Sequence, residues 1–141
     1  MISLTYLSTA TARDGFSPDE LTDLLVTSRR NNHAAGLSGM LLYVNGHFIQ
    51  TLEGPQDAVE QTFARIGRDP RHRDVLLVLR DETPTRVFAE WTMGFESVDP
   101  EEAASIPGFD DYLRTRTVPP EAARELGRAG VFHRAFRERM H

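Results

Sequence analysis

Gly39-Met40-Leu41-Leu42-Tyr43-Val44-Asn45-Gly46-His47-Phe48-Ile49-Gln50-Thr51-Leu52-Glu53-Gly54 is the stretch that decides the fold. Strand-like alternation on either side of Asn45-Gly46 predicts a β-hairpin with strands over 37–44 and 47–53. Both central residues of a type I′ turn need positive φ, and Asn-Gly supplies them. The second strand carries an amide, Gln50, on the same face as Phe48 and Leu52. A buried amide left unpaired costs about 1–3 kcal/mol, so protein, water or a ligand must meet it.

Upstream of the hairpin, Ile2, Leu4 and Tyr6 alternate on one side of a first strand over residues 2–8. Ser17-Pro18-Asp19-Glu20 then starts a helix: Ser17 caps, Pro18 suits the first helical position, and Glu20 completes a capping box. Leu21, Leu24, Leu25 and Ser28 follow at helical spacing, and the helix is expected to end near Asn31–Ala35, before Gly36. Downstream, Gly54-Pro55 opens a second helix with Val59, Phe63 and Ile66 on one face, ended by Asp69-Pro70. Residues 74–81 read as a strand whose apolar centre, Val75 to Leu79, is expected to be buried on both faces. Residues 86–97 read as a last strand with Trp91, Met93 and Phe95 on one face.

The order β-α-β-β-α-β-β is the split βαβ pattern of an α+β, ferredoxin-like sheet with two helices on one face and one extra strand. In that topology the first and third strands are antiparallel central neighbours, so Tyr6 and Gln50 can lie side by side beneath the helices. The other face of the sheet would be bare and apolar. We expect residues 1–98 to form the sheet domain and residues 99–141 to be a helical extension packed on that face. Pro107, Pro119-Pro120 and Gly130 divide the extension, and Phe109, Tyr112, Leu113, Leu126, Phe132 and Phe136 supply its apolar side.

At 141 residues and 40% hydrophobic content, the chain is long enough for one substantial core. It has no cysteine, and all 16 basic residues are arginine. Thiolate catalysis, Cys-ligated metals, cysteinyl cofactors and lysine-dependent phosphate or Schiff-base chemistry are thereby excluded. A net charge of −5 argues against nucleic acid as partner. The arginines between Arg124 and His141 read as a solvated helix face. No apolar run approaches the length of a membrane span, no secretory signal pattern opens the chain, and the cytoplasm is the expected compartment. Histidines at 33, 47, 72, 133 and 141 lack metal-ligand spacing, so no metal is expected. No serine sits in a nucleophile elbow.

The polar residues near the expected inter-helix crevice admit two readings each. Tyr6 and Gln50 are either hydrogen-bonded core groups or a ligand floor. Asn31 and Asn32 are either helix C-caps or ligand contacts. Arg65, Asp69, Arg71 and His72 are either a solvated helix end or a grip on a cofactor phosphate or ribityl chain.

Taken in order, Leu4 to Ser8, Ser28 to Asn32, Gly36 to Tyr43, His47 to Gly54, Asp69 to His72 and Trp91 to Met93 resemble the BLUF domain, a blue-light sensor that holds FAD non-covalently. The likeness runs from about Ile2 to Val98, roughly two thirds of the chain. It implies a flavin ring between the two helices. By position, Tyr6 matches the photoactive tyrosine, Gln50 the switching glutamine, and Asn32 the asparagine at the flavin carbonyl edge. Asn31 and Ser28 match polar neighbours of the ring, and Arg65 and Asp69 groups near the ring edge and ribityl chain. Leu24, Leu41 and Ile66 would be apolar walls, with Phe48, Arg71 and His72 as further cofactor contacts. Trp91 and Met93 match the strand-five pair linked to signalling. His33 departs from the pattern, standing where a small residue or proline is often seen.

The resemblance implies that Tyr6 passes an electron and a proton to excited flavin and that Gln50 relays the proton, returning rotated or tautomerised. A red-shifted signalling state results, relayed through strand five to residues 99–141. The expectation is a photosensor and not an enzyme, with FAD as cofactor and FMN or riboflavin as possible substitutes. With the sequence ending at His141, we expect signalling through a separate downstream protein or a homo-oligomer. The competing readings are an acylphosphatase-like hydrolase, suggested only by the arginine in Ser8 to Gly15, and a non-photoactive module that keeps the fold.

Overall fold

The computed structural model describes residues 1–11, 16–44, 46–86, 88, 93–97, 101, 109–115 and 117–122. Its elements are β1 (Ile2–Ala10), α1 (Pro18–Ala35), β2 (Ser38–Val44), β3 (His47–Gly54), α2 (Gln56–Gly67), β4 (His72–Glu82), β5 (Gly94–Ser97) and α3 (Phe109–Thr115). The sheet order is β4-β1-β3-β2-β5, antiparallel except for the β2–β5 pair. This is the expected α+β, ferredoxin-like arrangement.

Local chemistry sets the helix ends. Ser17 and Glu20 form a reciprocal capping box, with Ser17 Oγ accepting from the Glu20 N–H and Glu20 Oε1 from the Ser17 N–H, both at 3.1 Å. The C-cap of α1 is Gly36, at φ 74°. Such a left-handed residue is disfavoured for any side chain bearing a Cβ. Asn31 and Asn32 therefore lie inside the helix, and neither is its cap. Close packing decides another glycine: a Cβ on Gly39 would sit 2.1 Å from the Thr51 carbonyl oxygen.

Two cores lie on opposite faces of the sheet, as strand alternation requires. Beneath α1 and α2 are Ile2, Leu4, Tyr6, Leu41, Phe48, Leu52 and Met93, joined by Leu25 and Val59 from the helices. The other face gathers Leu7, Met40, Leu42, Ile49 and Phe88 under Tyr112 of α3. Tyr112 is fully buried, and its hydroxyl lies 2.9 Å from Thr9 Oγ1 and donates to the Asp74 carbonyl at 3.0 Å. That carbonyl is turned at a bulge in the β1–β4 ladder, where Asp74 has a φ of 53°. The described part of the extension, α3, packs on this face of the sheet through Tyr112. Most of residues 99–141, with Leu126, Phe132 and Phe136, lies outside the described residues, as does Asn45 of the hairpin turn.

Two expectations need correction. β4 is not buried on both faces: it is an edge strand, and Leu77 is 45% exposed. α2 lies over β1 and β3, leaving β4 at the margin of the helical layer. The last strand is also shorter than 86–97, because among the described residues the ladder begins at Gly94. Residues 86 and 88 are held by side-chain bonds. Arg86 donates to the Gly36 carbonyl at 2.6 Å and to Ser38 Oγ at 2.9 Å, and the Phe88 N–H donates to Glu53 Oε1 at 2.7 Å.

Candidate functional site

Between α1 and α2, above β1 and β3, lies a cavity of about 250 Å³. The register sets Tyr6 directly opposite Gln50 on β3. The Tyr6 hydroxyl donates to Gln50 Oε1, and Gln50 Nε2 donates to Met93 Sδ at 3.4 Å. Tyr6, Gln50 and Met93 are all buried. A thioether is a weak acceptor, and among the described residues it is the one partner of the Gln50 side-chain NH2 group. The floor of the cavity therefore holds an amide donor that is poorly satisfied. The backbone of Met93 is fixed from the other side, where Arg29 Nε donates to its carbonyl at 2.9 Å.

Burial, and secondarily the Asp69 carboxylate, hold the Tyr6 phenol well above its ordinary pKa, so it is a proton donor across the physiological range. The Phe63 and His72 rings flank Tyr6 with centroids at 5.4 and 6.4 Å. His72 Nε2 meets the Ile66 carbonyl at 2.6 Å and Nδ1 meets Ser8 Oγ at 2.9 Å. A carbonyl only accepts, so Nε2 carries hydrogen, and in the neutral ring Nδ1 accepts from Ser8. At the open end, exposed Arg71 grips Asp69 through two parallel bonds, Nε to Oδ1 at 3.0 Å and Nη2 to Oδ2 at 2.6 Å. That pairing lowers the Asp69 pKa and raises that of Arg71.

Leu24, Ser28, Asn31, Asn32, Leu41, Phe48, Gln50, Arg65, Ile66, Asp69, Arg71 and His72 all line this one cavity, together with Tyr6. Asn32 is buried, while Asn31 and Arg65 are exposed. Trp91 lies outside the described residues. Phe16, Thr27, Leu52 and Thr62 also line the cavity and were not among the expected cofactor contacts. Periodicity could have found three of them: Leu52 follows Gln50 by two on a strand, Thr27 follows Leu24 by three on a helix, and Thr62 precedes Ile66 by four. Phe16 precedes a helix cap and has no such signal. Among the described residues no His, Cys, Asp and Glu cluster could hold a metal ion, and no helix is long and apolar enough to cross a membrane.

A ferredoxin-like sheet that carries a cavity over its central strands, with a hydrogen-bonded phenol and amide as floor, is a ligand-binding domain. The chain belongs to the BLUF family, sensors of blue-light using FAD, which matches residues 1–94. The photoactivated adenylate cyclase subunit beta of Euglena gracilis is 41% identical over 114 residues, 80% of this chain and 13% of that protein. The chain thus spans about an eighth of the length of the curated relatives it matches. Among solved structures, BlrB, a BLUF protein in its dark state, aligns with a TM-score of 0.69 at 33% identity, covering 90% of this chain and 92% of that one. Klebsiella pneumoniae BlrP1 with FMN and cyclic diGMP aligns at 0.66 and 28% identity, covering 92% of this chain and 34% of that one.

Proposed function

We propose that this protein is a blue-light photoreceptor that binds FAD non-covalently between α1 and α2 and switches through Tyr6, Gln50 and Met93. The observation that carries the reading is the hydrogen-bonded run Tyr6–Gln50–Met93 at the cavity floor, in a chain of a flavin-sensing family.

The residues fit the cofactor. Leu24, Leu41, Phe48 and Ile66 give an apolar slot, and Asn32, Gln50 and Ser28 give amide and hydroxyl partners for a polar ring edge. A cavity of 250 Å³ lies just below the usual range of about 300–1,000 Å³ for whole-ligand pockets. That size suits a tricyclic ring, with the rest of the dinucleotide directed toward exposed Arg65 and Arg71. The ring is common to FAD, FMN and riboflavin, so all three are expected to load.

A bound flavin, once excited, supplies a strong oxidant. Tyr6 is the group that gives up an electron. An oxidised phenol is strongly acidic, and its proton already lies on a hydrogen bond to Gln50 Oε1. An amide both donates and accepts, so Gln50 would pass that proton on toward the group that took the electron, and when electron and proton return to Tyr6 the amide would be left rotated or as its tautomer. A hydrogen-bond donor that the turned Gln50 amide presented to a bound flavin would lower its excitation energy, the origin of the expected red shift. Met93 Sδ loses its N–H partner, and the change enters β5. From there it runs into residues 99–141, the extension beyond a sensor domain of residues 1–98, and on to a separate protein or a change of oligomeric state. The relay role of Trp91 rests on the family resemblance. On this reading the chain is a sensor, not an enzyme, and works in the cytoplasm.

The test is a light-minus-dark absorption spectrum of the purified protein beside Gln50→Leu. Wild type is expected to be yellow with a reversible red shift that the variant lacks. Protein that stays colourless after incubation with FAD overturns the reading.

A further inference from the structure

The Gln50 amide rests on Met93 Sδ, and Met93 is supported at both of its ends. Its Cε methyl packs toward β2, where a Cβ added to Gly39 would meet it at 3.3 Å. Its main chain stands at the mouth of β5, immediately before Gly94, whose pairing with Met40 begins the described β2–β5 ladder. There the Met93 carbonyl accepts from Arg29 Nε at 2.9 Å. The sulfur lies between these two supports.

Arg29 lies on the stripe of α1 that faces the sheet. It stands four residues after Leu25 and three before Asn32, the two buried residues of the helix, and that spacing puts all three on one face. An arginine there lays its stem along the face and carries its guanidinium outward past it. Here the guanidinium reaches the residue that leads into β5. α2 approaches β1 and β3 more closely than α1 approaches any strand, so the seat of α1 over the sheet depends on side-chain ties of this kind. Asn32, about one turn beyond Arg29, lines the cavity together with Ser28 and Gln50.

We propose that Arg29 is a positioning residue for the switch: by tying the Met93 main chain to α1 it keeps Sδ within reach of Gln50 Nε2, and so maintains the resting orientation of the amide. The proposal deepens the photoreceptor reading and rests on it. Without the tie the Met93 main chain shifts and takes the sulfur with it, and the Gln50 NH2 group loses its acceptor at rest. The lit arrangement, in which that group has already left the sulfur, is not affected. Return to the resting arrangement then has one bond fewer to form, and it slows.

The experiment compares full-length Arg29→Leu, Arg29→Lys and Arg30→Leu with wild type. Flavin-loaded protein is illuminated with blue light, and the decay of the red shift in darkness is timed. Arg29→Leu is expected to show the red shift, because Tyr6 and Gln50 are untouched, and to lose it about threefold more slowly, the low end for one weak hydrogen bond. Arg29→Lys keeps a donor for the carbonyl and is expected to recover faster than Arg29→Leu. Arg30→Leu removes the same charge from the neighbouring exposed position and is expected to match wild type. In flavin-free protein, NMR of the Met93 carbonyl carbon and ε-methyl is expected to show both resonances moved in Arg29→Leu and neither moved in Arg30→Leu. A wild-type or faster recovery in Arg29→Leu overturns the proposal. So does an Arg29→Lys or Arg30→Leu variant as slow as Arg29→Leu, or a Met93 methyl that stays in place in Arg29→Leu. Where Arg29→Leu does not retain flavin, the two resonances decide: both moved supports the proposal, and an unmoved methyl overturns it. A wild type with no light-induced red shift overturns the photoreceptor reading itself, while the flavin-free resonances still judge whether Arg29 places the sulfur.

Discussion

Tyr6 and Gln50 face one another across the β1–β3 ladder, and the phenol donates its proton to the amide oxygen. The bond joins the one oxidisable phenol that lines the cavity among the described residues to an amide whose other end rests on a sulfur atom. Tyr6→Phe keeps the ring and its packing on Phe63 but leaves Gln50 Oε1 unsatisfied. We expect flavin to bind, the light-induced red shift to vanish, and the flavin-free protein to lose about 1–3 kcal/mol in urea unfolding.

The Tyr6 phenol also predicts an alkaline limit. Its folded pKa is raised by burial and then by Asp69, so its contribution to stability is fully present below the unfolded tyrosine value of about 10 and falls as pH rises above it. Asp69→Asn removes the smaller cause. The Tyr6 Cζ chemical shift, followed by NMR against pH, is expected to titrate lower in the variant than in wild type while staying above ordinary tyrosine. An unchanged titration would show that Asp69 has no hold on the phenol.

Asp69 behaves in the opposite sense. Its pKa is lowered, chiefly by the hydrogen bond from Arg71, so the pair supports the fold above the unfolded carboxyl value of about 3.9 and is lost as pH falls through the folded one. Arg71→Gln is expected to raise the Asp69 pKa toward the ordinary value, read by carboxyl NMR. Thermal stability near neutral pH should barely change, since the pair is largely solvated.

Gly39→Ala tests the tightest backbone approach in the hairpin. The added Cβ meets the Thr51 carbonyl oxygen at 2.1 Å and Met93 Cε at 3.3 Å, and neither the ladder nor a buried side chain yields freely. A loss of about 1–3 kcal/mol is expected on overpacking grounds, with weaker flavin retention because Thr51 adjoins Gln50. Wild-type stability in this variant would mean that the β2–β3 ladder yields.

Tyr112→Phe removes the hydroxyl that holds α3 to Thr9 and to the Asp74 carbonyl. The ring stays, so the sheet should keep its fold while residues 109–115 exchange faster. A cost of about 1–3 kcal/mol is expected from the buried polar atoms left behind. Unchanged exchange at 109–115 would locate the docking of α3 elsewhere.

Most of the fold was legible because its signals are local. Ser17, Pro18 and Glu20 cap a helix whatever lies beyond it, and Asn45-Gly46 marks a hairpin by its backbone alone. The opposition of Tyr6 and Gln50 followed from strand order, which the βαββαβ sequence of elements dictates. What failed was whatever depended on neighbours across space. The apolar run Val75 to Leu79 cannot reveal that β4 stands at an edge, since burial there depends on where α2 comes to lie. The true start of β5 was hidden because Arg86 and Phe88 bond to Gly36, Ser38 and Glu53, more than thirty positions away in the chain. The lining of the cavity by Leu52, Thr27 and Thr62 was available from periodicity, whereas that by Phe16 was not.

β1 presents Tyr6 to the cavity and Leu7 and Thr9 to the face under α3. On the proposed reading, input and output share one strand and are kept apart by its two-residue pleat. A single-residue insertion or deletion between positions 6 and 9 would turn one set to the wrong side, disconnecting receiver from transmitter even if the sheet still closed.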